Sequence, residues 1–382
     1  MLGLVYGQTM ERINGQLDDH RHLARLVLSW ITHAVRPLTN LELQHALAIE
    51  PGDEEFDQDN LPEVEDMVSV CAGLITVEDQ SGIIRLVHYT TQEYFERTQQ
   101  RWFPDAEFDI SETCATYLSL EDLVPVKEWC DREVLKRRLR CYPLYKYAAD
   151  NWGLHTRNAS CVSDATVRFL LSDRHAKAAG RVMQLYSSTS HAVDCEDEPG
   201  KLLGLHLAAH FGLDTVIQLL VDTHGVDVNR RSGHGQTPLI VAAMEGQLAA
   251  VQVLLAADGI DVDATGYPFE YTALYHAAKK GHDVVVQTLL DTGKVDVNKL
   301  TFFGTTPLHE AAMEGRESVV RILLATGQAH VNAQDKYGRT PLTEAILAGC
   351  TGVVQVLLAA GGIEGDQTAE DERRRMEEFF GT

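Results

Sequence analysis

The sequence has no closely paired cysteines, no long apolar run, no excess of basic charge and no phosphate-binding glycine loop. Each absence excludes something. The seven cysteines, at 71, 114, 130, 141, 161, 195 and 350, are dispersed and form no C-x-x-C pair. An odd, scattered set fits reduced thiols in a cytosolic or nuclear protein better than a disulfide framework. Lys and Arg number 33 against 56 Asp and Glu, for a formal net charge of −23. Nucleic acid and anionic membrane are therefore not expected as partners. No apolar stretch approaches the roughly 18 residues that a membrane helix needs. Met1 to Tyr6 is apolar without a basic lead-in, which argues against a signal peptide. A cytoplasmic location is the default expectation. No G-x-x-x-x-G-K-S/T string occurs, and Gly200-Lys201 lacks its spacing, so no P-loop ATPase is expected within these residues.

What is present is an ordinary globular composition, 45% apolar and 23% charged over 382 residues, long enough for two or three domains. A repeat organises the second half. Gly204-Leu205-His206-Leu207-Ala208-Ala209, Thr237-Pro238-Leu239-Ile240-Val241-Ala242-Ala243 and Thr272-Ala273-Leu274-Tyr275-His276-Ala277-Ala278 align with two later segments. These are Thr306-Pro307-Leu308-His309-Glu310-Ala311-Ala312 and Thr340-Pro341-Leu342-Thr343-Glu344-Ala345-Ile346. The leucines at 205, 239, 274, 308 and 342 are spaced by 34, 35, 34 and 34, and glycines 212, 246, 281, 315 and 349 keep the same spacing. Thr and Pro are expected to start the inner helix, the Ala pair to keep it thin, and the glycine to end it; the first repeat departs from this, with Leu203-Gly204 in place of Thr-Pro. The outer helix should bury Val216-Ile217-Leu219-Leu220, Val253-Leu254-Leu255, Val284-Val285-Leu289-Leu290 and Val319-Val320-Leu323-Leu324. Asp227-Val228-Asn229, Asp296-Val297-Asn298 and His330-Val331-Asn332 should lead into the turn between repeats.

A period near 33 with T-P-L-H-x-A resembles the ankyrin repeat. The resemblance implies a solenoid of about five repeats over 200–366, followed by a charged tail, 367–382, with Ala369–Thr382 a short capping helix or a frayed end. It also implies a contact face for a protein partner at the turn tips and the exposed ends of the inner helices. Carried onto this sequence, that face comprises Phe211, His234, Met244, Phe269, Tyr271, Lys279, Lys280, Phe302, Phe303, Met313, Tyr337 and Arg339. His206 and His309 stand at the family's structural histidine, implied to bond between the turns of adjacent repeats.

The first hundred residues are not repeats. Leu17–Val35 is an amphipathic helix stopped by Pro37, and Thr39 is placed to cap a second helix carrying Leu41, Leu43 and Leu47. An acidic insert, 50–60, precedes a third helix ending near Cys71-Ala72-Gly73. Leu74–Glu78 and Ile83–His88 then flank a turn-rich tip and read as a hairpin. Three helices and a hairpin predict a winged-helix domain over 1–100. Residues 101–199 read as a helical connector, with helices near 111–120, 134–139, 144–152 and 165–171. Its dense aromatics, Trp102, Trp129, Tyr142, Tyr145, Tyr147 and Trp152, are expected in a core. Lys136-Arg137-Arg138 and Arg140 read as a solvated helix face, and 191–200 as a loop before the repeats. The whole is mainly α.

Arg36-Pro37-Leu38-Thr39, Val70-Cys71-Ala72-Gly73-Leu74 and Leu86-Val87-His88-Tyr89-Thr90-Thr91-Gln92-Glu93-Tyr94-Phe95 resemble the winged helix that follows the NACHT domain of fungal NOD-like (STAND) receptors. That segment has also been named after GPI inositol-deacylase, a label that implies no deacylase chemistry here. Tyr6-Gly7-Gln8-Thr9-Met10-Glu11-Arg12-Ile13 resembles the end of the segment that joins NACHT to the winged helix. Tyr147-Ala148-Ala149-Asp150-Asn151-Trp152-Gly153 resembles the linker ahead of those receptors' ankyrin repeats. The resemblance implies the sensing and relay part of such a receptor, without its NTPase: a fragment, a truncated gene product or a paralogue lacking its motor. It implies for His88 contact with the nucleotide's β-phosphate, should a NACHT domain be present. The alternative is a free-standing ankyrin adaptor whose winged helix is a structural or dimerisation element.

No enzymatic activity, cofactor, metal or small-molecule substrate is expected. Asp18-Asp19-His20 with His22 contains an H-x-H, but residues two apart on a helix point in different directions. Ser187, His191 and Asp194 have the residue types of a triad without a nucleophile elbow.

Overall fold

The computed structural model describes residues 2–123, 132–184 and 202–360. The chain divides into two compact units, Met1–Gly204 and Leu205–Thr382.

The first unit begins with α1 (Leu2–Asn14) and α2 (Asp18–His33). Helix α2 has Asp18 and Asp19 in its first turn and His33 in its last, the order the helix dipole favours, and buries Ala24, Val27, Leu28 and Trp30. After Pro37, β1 (Leu38–Thr39) leads directly into α3 (Asn40–Leu47). Thr39 caps α3 through a reciprocal box: Glu42 N–H donates to Thr39 Oγ1 at 3.2 Å, and Thr39 N–H donates to Glu42 Oε2 at 2.8 Å. Leu43 is buried, but Leu41 lies outward and is exposed. Then follow α4 (Val64–Val70), β2 (Ile75–Val77), β3 (Ile83–Leu86) and α5 (Tyr89–Trp102). The sheet is antiparallel in the order β1-β3-β2, with Leu38 opposite Ile84 and Val77 also opposite Ile84 on the other side. The hairpin expected from sequence is present. Strand β1, two residues that follow a proline and end on the cap Thr39, is too short to have a period. The acidic insert is anchored by Phe56, whose ring stacks on His45 at 4.3 Å.

Five more α-helices follow among the described residues of this unit: α6 (Ala106–Leu118), α7 (Arg132–Cys141), α8 (Leu144–Asn158), α9 (Asp164–Leu171) and α10 (Asp173–Gln184). Helix α10 is an addition to the sequence reading. Tyr145, Tyr147 and Trp152 are buried on α8, and Trp102 is buried at the end of α5. A polar relay crosses this core. Val35 N–H donates to Tyr147 Oη at 3.1 Å, Tyr147 O–H donates to His155 Nε2 at 2.8 Å, and His155 Nδ1–H donates to Glu107 Oε2 at 2.6 Å. It ties the segment after α2 to α6 and α8, and satisfies polar groups that would be costly to bury alone.

Among the described residues the second unit holds five helix pairs: α11 (Gly204–Phe211) with α12 (Asp214–Asp222), α13 (Pro238–Met244) with α14 (Leu248–Ala256), and α15 (Ala273–Lys280) with α16 (Asp283–Asp291). The last two are α17 (Pro307–Met313) with α18 (Glu317–Ala325), and α19 (Pro341–Leu347) with α20 (Thr351–Ala359). Thr237, Thr272, Thr306 and Thr340 each cap an inner helix by accepting the N–H three residues on. Gly246 and Gly281 adopt left-handed φ of 70° and 77°. That lets Gln247 and His282 donate back to the carbonyls of Ala242 and Ala277, both at distances near 3 Å (2.9 and 3.0 Å). A Cβ at Gly246 would stand 2.7 Å from the His282 ring.

The outer helices bury a slightly different set from the one expected. Val285, Val286 and Leu289 carry the core of α16, while Val284 is 61% exposed. In α14 the core is Ala250, Val251 and Leu254. The apolar stripe of a 3.6-residue period is narrower than these aliphatic runs, so part of each run turns away from the core. Side chains tie consecutive repeats at the junctions. Asn298 Nδ2 donates to Gln328 O at 2.9 Å and its Oδ1 accepts from His330 N at 2.8 Å. Asn229 does the same with Gly259 and Asp261. Expectations for Trp129, for Ser187, His191 and Asp194, for 191–200 and for 361–382 lie outside the described residues.

Candidate protein-binding face

Each turn tip is built before any functional side chain is placed. Ser232, Thr301 and Asp335 open three of the tips, and one side-chain oxygen of each accepts two backbone N–H groups of its own tip. Ser232 Oγ takes His234 and Gln236 at 3.3 and 3.2 Å, and Thr301 Oγ1 takes Phe303 and Thr305 at 3.2 Å each. Asp335 Oδ1 takes Tyr337 and Arg339 at 2.8 Å each. The tip of 266–271 is one residue longer and lacks this bracket. Gly266 N–H donates instead to Tyr271 O at 2.9 Å, and Glu270 takes a φ of 61°. The single 35-residue spacing among the repeats, between Leu239 and Leu274, contains this extra residue.

Neighbouring tips are also bonded to each other. Phe302 N–H donates to Phe269 O, and Lys336 N–H donates to Phe303 O, both at 2.9 Å. These bonds bring the rings together: Phe269 stacks on Phe303 at 5.2 Å and Phe302 stands edge-on to Phe303 at 5.4 Å. Phe269 also meets Tyr271 at 5.6 Å. Phe302 is 52% exposed and Tyr337 68% exposed, while Tyr271 and Phe303 are half-buried. Lys336 holds its ammonium 4.0 Å from the centre of the Phe302 ring. The Arg339 guanidinium lies 5.0 Å from that of Tyr337. From sequence Phe269, Tyr271, Phe302, Phe303 and Tyr337 were expected near one another on successive tips, and the structure places the first four in contact. Tyr337 lies one tip further on and stacks on no other aromatic ring among the described residues.

Beneath the row is a buried polar network. The Tyr271 ring lies parallel to Tyr275 at 4.3 Å, and Tyr275 O–H donates to Glu310 Oε2 at 2.5 Å. Glu310 also pairs with Lys279 at 2.5 Å. Burial, with the Glu310 charge alongside, pushes the Tyr275 hydroxyl well above its ordinary range. Burial foremost, and then Lys279 and Lys280, lower the His276 imidazole to about 4. Arg339 is bound to Asp335 at 3.1 Å and to buried Glu344 at 3.0 Å. Lys279 and Arg339 therefore brace the face from within, while Lys280, Lys336, His234 and Met313 are exposed upon it and Met244 is half-buried. The two structural histidines do as expected: Nε2 of His206 lies 2.9 Å from Gln236 O, and that of His309 lies 3.1 Å from Arg339 O.

One expected contact residue is withdrawn. Phe211 is only 5% exposed, because it closes the first inner helix against the apolar interior and packs edge-on to His210 at 4.9 Å. Glu310, Glu344, Tyr275 and Lys336 were missed from sequence. The available signal was an acid at 310 and 344 where earlier repeats have Leu207 and Val241, with a cation within reach of each. In the first unit, His88 is exposed and caps α5: its Nδ1 accepts from Thr90 N–H at 3.2 Å.

Comparison with known proteins agrees with the fold. The family described as "Ankyrin repeats" matches in three copies, over residues 159–266, 205–299 and 274–369, the first copy reaching back across α9 and α10. The family described as "GPI inositol-deacylase, winged helix domain" matches residues 10–111. Alpha-latrotoxin-Lg1a of Latrodectus geometricus is 33% identical over 27% of this chain and 8% of its own length. A protein of Oryza sativa subsp. japonica, "Probable E3 ubiquitin-protein ligase XBOS31", is 40% identical over 24% of this chain and 20% of its own. Ankyrin repeat protein nuc-2 of Neurospora crassa is 29% identical over 31% and 10%. The chain thus spans a fifth or less of each of these relatives.

Proposed function

The chain belongs to the ankyrin-repeat family, a protein–protein interaction module, and on that premise we propose that it binds its partner across the turn tips and inner-helix ends of repeats two to five. The observation that carries this is the exposed aromatic row of Phe269, Phe302 and Phe303, held by backbone bonds from tip to tip. Large exposed rings on a rigid support are the usual anchors of an interface, since little conformational freedom is lost on binding. His234, Met244, Tyr271, Lys279, Lys280, Met313, Tyr337 and Arg339 complete the proposed face, with Tyr271, Lys279 and Arg339 acting mainly as its supports. The test is a pull-down with the full chain, wild type against Phe269→Ala/Phe302→Ala/Phe303→Ala. The triple variant should lose its partners while keeping its circular dichroism; equal retention of the same partners would refute the face.

The domain order supports a finer reading. A winged helix over 1–100, a helical connector over 101–199, repeats over 200–366 and a charged tail over 367–382 suit the sensing and relay part of a fungal NOD-like receptor. In that setting the protein is cytoplasmic and signals without catalysing, and exposed His88 faces the nucleotide of a neighbouring NACHT domain. An in-frame NACHT-coding sequence upstream of Met1 supports this reading; stop codons in all frames there refute it.

A further inference from the structure

The first unit holds a cleft of about 390 Å³ where α6 begins, lined from α2, α5, α6 and the end of α8. That volume lies at the lower end of small-molecule sites. His33, Phe103, Asp105, Glu107, Asn158 and Ser160 bring most of its chemistry. No lysine or arginine lines it among the described residues. Arg25 and Arg101 are engaged beside it, with Trp102 O at 2.9 Å and with Glu11 at 3.0 Å, and Arg157 lies outside the lining.

The groups that line this cleft are mostly acceptors. His155 Nδ1–H holds Glu107 Oε2 at 2.6 Å, and buried His155 is itself held by Tyr147, so this carboxylate stands on a fixed frame. Its other oxygen is 3.5 Å from Asn158 Nδ2, the far limit of a hydrogen bond, and is open to a stronger donor. His33 Nδ1–H donates to Ser29 O at 2.9 Å, which leaves Nε2 as an acceptor. Exposed Asp105 adds a second carboxylate and makes no side-chain cap on α6. The N-terminus of α6 opposes these acids with about half a positive charge, too little to offset two. An anion is therefore repelled, while a cationic donor meets both carboxylates and the Phe103 ring. We propose that this cleft binds the guanidinium or primary ammonium head of a cationic ligand, with Glu107 Oε1 as its main acceptor and Asp105 at the mouth. Because Glu107 is oriented before the ligand arrives, little freedom is lost on binding. The site belongs to the first unit alone and does not rest on the binding face of the repeats.

Isothermal titration calorimetry of the full chain tests this with two probes, agmatine and acetyl-glycyl-arginyl-glycinamide. Saturable binding of at least one of them, tighter than about 1 mM, is expected. Glu107→Gln keeps an acceptor for His155 but removes the charge, and should weaken that binding about tenfold or more. If this variant loses the circular dichroism of the wild type, Ser160→Lys is read in its place, because it sets a competing ammonium at an exposed position on the rim. The peptide binding as tightly as agmatine assigns the site to an arginine of a partner chain, and agmatine binding alone assigns it to a free amine. No saturable heat from either probe overturns the proposal, as does undiminished binding in the variant that is read.

Discussion

His45 shows how one buried ring makes a fold sensitive to acid. It lies between Phe56 and Tyr117, with Nδ1 2.9 Å from the Tyr117 hydroxyl, and burial lowers its imidazole to about 4. The unfolded chain would titrate it near 6.5. The native state therefore binds fewer protons between those values, so its contribution is complete above about 6.5 and is lost as pH falls toward 4. His175 is shifted in the same direction by burial. The four tryptophans, at 30, 102, 129 and 152, all belong to the first unit, so tryptophan fluorescence follows that unit alone during urea unfolding. Lowering the pH from 7 to 4.5 should cost it on the order of 1–3 kcal/mol through His45. His45→Gln should show a clearly shallower pH slope; a slope identical to wild type would contradict this account. The pairing of His45 with Phe56 across the acidic insert could not be read from sequence, and the burial of Glu310 was legible only as an acid at a position where earlier repeats have Leu207 and Val241. Residue type alone favours exposure for Glu310.

At the scale of the element, sequence was most informative where the local chemistry is self-contained. The Thr caps, the left-handed glycines and the hairpin of β2 and β3 each depend on residues within a few positions. Strand β1 depends on β3, over forty residues away, and the side of an aliphatic run that turns outward depends on what packs against it, as Val284 shows. Phe211 was misplaced for the same reason. The tip bracket is a local device whose effect should be measurable. Thr301→Val keeps the shape of this buried side chain but removes the oxygen that holds Phe303 and Thr305. It should cost the second unit about 1–2 kcal/mol and speed hydrogen exchange of those two amides. Unchanged exchange at both would show that the bracket does not hold the tip.

For the whole molecule, the period of the repeat was enough to foresee five helix pairs and the family, because each repeat packs mainly on its neighbours. The winged helix was foreseen from the order of its elements together with a family resemblance. The aromatic row was foreseen as a set of neighbours, but the tip-to-tip bonds and the Lys336 ammonium over Phe302 needed the structure. The central claim is that the partner meets the tips and not the outer helices. Photo-crosslinking measures this most directly, with benzoylphenylalanine placed at Phe302 on a tip or at exposed Val284 on the outer side. Adducts with the bound partner are predicted from position 302 and not from 284; adducts from 284 with none from 302 would contradict the account.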